Sequence, residues 1–97
     1  MTNARSFLAR RRPPPPQALE RRLRIEAPDG EPLEVLKRLG LQELDRARSA
    51  PGRIRESAFH LLTADALLTY ACEAALETAA PVAALGTLLR EAASEER

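Results

Sequence analysis

His60, Asp65 and Cys72 are the side chains that could carry acid–base, metal or thiol chemistry in the apolar half of this 97-residue sequence. Asp65 is the one out of place, with Leu61, Leu62, Leu67 and Leu68 around it. A carboxylate on a core face must be paired, neutralised, or turned toward something other than its own core, because an unpaired buried charge is costly. As a catalyst it would need a second acid, a base or a metal, and none stands at useful spacing. His60 follows Glu56 by one turn and is the sole histidine, so it lacks the companions of a metal site and reads as an ordinary surface residue. Cys72, the sole cysteine, reads as a small buried hydrophobe and builds neither a disulfide framework nor a zinc cluster. The four glycines are scattered, which leaves no phosphate-cradling loop. These residues predict no enzyme and no cofactor; Asp65 is expected to meet an arginine of its own fold or a group across an interface.

The element that must hold all three is a helix over about 53–78. At 100° per residue, Ile54, Ala58, Leu61, Leu68, Cys72, Ala75 and Leu76 fall on one side, with Asp65 among them, and this side is expected to be the core face. Glu56, His60, Thr63, Glu73 and Glu77 fall roughly opposite. Leu67, Tyr70 and Ala74 intrude on that polar side, so the helix should be covered from more than one direction, and Leu67 and Tyr70 are the expected surface contact residues. Ser49 is the expected cap of this helix, with Pro51 in its first turn. The segment Leu61-Leu62-Thr63-Ala64-Asp65-Ala66-Leu67-Leu68-Thr69 resembles the helix that follows the first aspartate-rich motif of isoprenyl diphosphate synthases. Neither of the paired magnesium-binding motifs of those enzymes occurs here, and the resemblance implies helix packing alone.

Around that helix the chain divides by its prolines and glycines. Pro81 opens a last helix with an apolar stripe of Val82, Leu85, Leu88, Leu89 and Ala92, and the short connection predicts antiparallel packing; Gly86 is expected to admit a close neighbour. Upstream, Pro32 opens a short helix burying Leu33, Leu36 and Leu39, which Gly40 should end as a C-cap, and a second short helix runs from Leu41 to about Arg48. Residues 17–24 read as a further short helix carrying Leu19 and Leu23. The rival is a hairpin across 23–35 turning at Pro28-Asp29-Gly30. Aromatics are scarce and Leu and Ala abundant, which suits helix on helix rather than sheet. The fold class is therefore all-α: a small bundle of about four helices with a C-terminal antiparallel hairpin and a disordered Arg/Pro-rich N-terminal arm.

The domain division is an arm over 1–16 and a helical body over 17–97. Residues 1–24 carry seven arginines against Glu20, whereas the remainder carries eight basic and thirteen acidic groups. Pro13–Pro16 predict extended polyproline II, and Arg10, Pro13 and Pro16 have the spacing of ligands for polyproline-binding domains. Arg10, Arg11 and Arg12 could instead attract phosphate backbones, although no aromatic interleaving or reading motif accompanies them. The opening MTNARSFLARRR lacks the continuous apolar run of a secretory signal, and the most apolar stretch is too short to span a bilayer, so a soluble, cytoplasmic protein is expected. Such a small core, with an over-wide apolar arc on its main helix, points to an interaction or assembly module acting as a homo-oligomer or within a larger complex. A nucleic-acid accessory protein using the basic arm is the alternative.

Overall fold

Four helices and no strand make up the described residues of the computed structural model, which are 3–12, 14, 15, 17, 21, 30–49 and 52–94. They are α1 (Ala4–Ala9), α2 (Pro32–Arg48), α3 (Ile54–Leu76) and α4 (Pro81–Ser94). No helix among them is long and apolar enough to cross a membrane. The all-α class expected from composition is observed. The hairpin alternative for 23–35 lies mostly outside the described residues, but Leu33 and Val35 are helical and form no strand. Of the segment 17–24, only Gln17 and Arg21 are described, and both have helical backbone.

The core is an α2–α3 pair closed by α1 and α4. Val35, Leu36 and Leu39 of α2 meet Leu67, Ala71 and Ala74 of α3, with Phe7 and Leu8 of α1 and Leu88 of α4 completing the cluster. Alanines on the buried side of α3 (Ala64, Ala71, Ala74, Ala75) let the helices approach closely. Gly40 does the same from α2. It was expected to end a helix, yet α2 runs unbroken through it, and an ideal Cβ at position 40 would lie 2.8 Å from Cδ2 of Leu68 and 3.3 Å from Cβ of Leu67. The helix accepts a loss of about 1 kcal/mol in propensity in return for close packing against α3.

The ends are held locally. The Glu31 side chain accepts the Glu34 N–H at 3.0 Å ahead of Pro32, which fits the first turn because its missing N–H would be unpaired there anyway. Ser49 closes α2 rather than opening α3: its N–H and its Oγ both donate to the Asp45 carbonyl, at 3.0 and 2.9 Å. Gly52, in the left-handed region at φ 84, precedes Arg53, and α3 starts without a side-chain cap. Residues 77–80 turn the chain back into α4, with the Thr78 hydroxyl donating to the Ala75 carbonyl at 2.7 Å. Gly86 gives no close approach to a neighbouring helix; the atoms nearest an added Cβ belong to Arg90 one turn on.

Within the segment read as an extended arm, residues 4–9 are helical. Asn3 caps α1 by accepting the Ser6 N–H at 2.8 Å, and Ala4 donates its N–H to the Gly30 carbonyl at 2.9 Å. A six-residue helix is not stable by itself; burial of Ala4, Phe7 and Leu8 holds it. Pro14 and Pro15 are in neither helix nor strand, and Pro13 and Pro16 lie outside the described residues, as does Pro51.

Candidate functional site

The acidic side chain in the core is Glu43, not Asp65. Glu43 is 0% exposed and sits on α2 seven residues after Leu36 and four after Leu39, in line with the buried stripe. Its Oε1 accepts from Arg46 Nη1 at 2.6 Å and its Oε2 lies 2.6 Å from His60 Nδ1 on α3. The other ring nitrogen is 3.8 Å from Glu56 Oε1, too long for a hydrogen bond. The Phe59 ring meets the imidazole edge-on at 5.5 Å between centroids. His60 is therefore no free surface histidine: it is part of a polar bridge that joins α2 to α3. The same signal was available in the sequence, but placing a helix end at Gly40 reset the phase and hid Glu43 from its stripe.

Asp65 is exposed. It lines a shallow groove of about 250 Å³ with Arg11, Arg12, Ala66, Thr69, Tyr70 and Glu73, and makes no hydrogen bond or ion pair with any described residue. The expected arginine does not meet it. Arg11 instead places Nη1 3.0 Å from Glu73 Oε1 and Nη2 3.1 Å from Glu77 Oε2, with its guanidinium carbon 4.0 Å from the centroid of the Phe7 ring. Burial alone would lower the Arg11 pKa, but the two carboxylates outweigh it and hold the value above the ordinary one. Arg12 Nη1 donates only to backbone, the Arg11 carbonyl at 2.8 Å and the Ala9 carbonyl at 3.2 Å. Arg10 is exposed. Of the three arginines singled out in the sequence, Arg11 is thus an anchor for α1, and Arg10 and Arg12 keep open charges.

The face of α3 expected to be core is largely its surface. Of that face Ile54 is 84% exposed, and Ala58, Leu61 and Leu76 are exposed as well; Leu68 and Cys72 are half-buried, and Ala75 alone is buried. Leu67, expected at the surface, is 0% exposed and lies against Gly40, while Tyr70 is half-buried against the core. The cause is that α3 is apolar nearly all round, so the neighbours choose the face: α2 settles on the side with small residues and with partners for Ser57 and His60. Ser57 Oγ donates to the Ala47 carbonyl at 3.0 Å. On α4, Leu88 is buried but Val82 and Leu89 are 85% and 64% exposed.

A second groove, of about 460 Å³, is lined by Lys37, Arg38, Leu41, Gln42, Asp45 and Glu91. Lys37 Nζ lies 3.0 Å from Glu34 Oε2 and 3.2 Å from Glu91 Oε2, tying α2 to α4. The hydrogen bond to Glu34, helped by Glu91 and opposed by burial, raises the Lys37 pKa. No group of three or more His, Cys, Asp or Glu converges as a metal site among the described residues. Comparison with known proteins gives no match to a family model, a curated protein or a solved structure.

Proposed function

We propose that this protein is a small interaction or assembly module that self-associates through the apolar surface of its C-terminal helical hairpin. The observation that carries the reading is the row of Ile54, Leu61, Leu62 and Leu76, all exposed and all on one side of α3. Covering a large aliphatic side chain contributes about 1.5–3 kcal/mol, so a row of this kind is a driving force left unused in the single chain. Large exposed apolar surfaces of this sort mark contact sites. Light scattering across a concentration series tests the reading: association that Leu62→Glu abolishes supports it, and a monomer at every concentration sinks it.

The alternative is a nucleic-acid accessory protein that uses the N-terminal arginines. Arg5, Arg10 and Arg12 are exposed and support it, whereas Arg11 is committed to Glu73 and Glu77. Binding to a random duplex at low salt that disappears at moderate salt would favour this reading, and no binding at low salt would remove it.

A further inference from the structure

The outer side of α3 is symmetric in sequence about Asp65. Leu62 and Leu68 lie three residues to either side, Leu61 and Thr69 four, Ala58 and Cys72 seven, Ile54 and Leu76 eleven. Offsets of three, four, seven and eleven all return to one face of an α-helix. Ile54, Ala58, Leu61, Leu62, Asp65, Thr69 and Leu76 are exposed there, and Leu68 and Cys72, at its edge, are half-buried against the core and leave only part of their surface open. A two-fold interface requires that if residue i meets residue j, then j meets i. A stripe that reads alike in both directions from its centre meets this requirement when two copies run antiparallel.

The charges beside the stripe are complementary in the same arrangement. Asp65 and Arg12 line one groove, yet neither has an oppositely charged partner among the described residues. Two Asp65 carboxylates brought together at a two-fold axis would repel each other unless cations stood beside them. The Arg12 side chains, which line the same groove as Asp65, are the cations nearest to hand for that role.

Resting on the self-association proposed above, we infer that two copies of this chain pair antiparallel along the outer face of α3, about an axis at Asp65, each Asp65 neutralised by the partner's Arg12. Ile54 then packs on the partner's Leu76, Leu62 on the partner's Leu68, and Ala58 on the partner's Cys72. The Leu62–Leu68 pairs flank the axis, the two small Ala58–Cys72 pairs beyond them let the helices approach, and the Ile54–Leu76 pairs close the ends. The two Cys72 thiols are left fourteen residues apart along the axis, about 21 Å, far beyond the reach of a disulfide. In a parallel pair they would be adjacent.

Oxidative cross-linking of the full chain reads the register directly. Ala58→Cys, an exposed position, should give a covalent dimer with the partner's Cys72, whereas the wild type and the double variant Ala58→Cys/Cys72→Ser should not. In sedimentation, Arg12→Glu and Asp65→Arg should each weaken dimerisation about tenfold, and combining them should restore it; circular dichroism checks that each variant folds. Wild-type chains that cross-link through Cys72, or an Asp65→Asn variant that dimerises more tightly, would overturn the inference while leaving self-association standing. A monomer at every concentration would sink both.

Discussion

Glu43 and His60 meet through a 2.6 Å contact between Oε2 and Nδ1, and this contact joins α2 to α3 beside the hydrophobic core. It places a carboxylate at full burial and satisfies it with an imidazole on one oxygen and the Arg46 guanidinium on the other. Removing one member of such a set leaves the others without their counter-group.

Glu43→Ala is therefore expected to destabilise the fold by about 3 kcal/mol. Replacing Glu43 and His60 together with leucine should cost less than the two single changes added, because no polar partner is then stranded. Urea denaturation of the four proteins in a double-mutant cycle measures this coupling.

Gly40→Ala sets helix propensity against contact. The added methyl gains about 1 kcal/mol in propensity and meets Leu68 Cδ2 and Cγ at 2.8 Å. Overpacking costs about 1–3 kcal/mol, so a net loss near 1 kcal/mol is expected. Combining it with Leu68→Ala should remove the contact and recover part of the loss, as thermal melts would show.

Arg11→Met should release α1 without unfolding the α2–α3 pair. Amide exchange in residues 7–11 is expected to quicken about tenfold, while Leu67 and Ala71 stay protected. Phe7→Ala should do the same and remove about 3 kcal/mol of burial and packing.

Lys37 predicts an alkaline limit. Its folded pKa is raised above the ordinary 10.5, so its contribution is complete below that value and lost as pH rises through the folded one. The melting temperature of the wild type should fall faster than that of Lys37→Met across this window. Equal slopes would show that the Glu34 and Glu91 contacts add no stability.

Much of the fold is a local matter and was legible as such. Pro32 and Pro81 open helices where their missing N–H is harmless, and the long helix expected over 53–78 spans Ile54–Leu76. A Leu- and Ala-rich interior with few aromatics implied helices throughout. Two features depend on contacts distant in sequence. Gly40 looks like a helix end until Leu68 is seen against it, and Asn3-Ala4-Arg5-Ser6-Phe7-Leu8 looks like the start of a tail until Phe7 and Leu8 are found in the core.

The amino-acid sequence by itself therefore determined the helical class, the main helix boundaries in the C-terminal half and the surplus of apolar surface on α3. Only the tertiary structure decided which face of α3 is buried, and with it that Glu43 lies inside and Asp65 outside. A helix apolar nearly all round carries no periodic instruction for its own orientation. That choice falls to its neighbours, which settle where alanines and Gly40 allow the closest approach and where each buried polar group finds a partner.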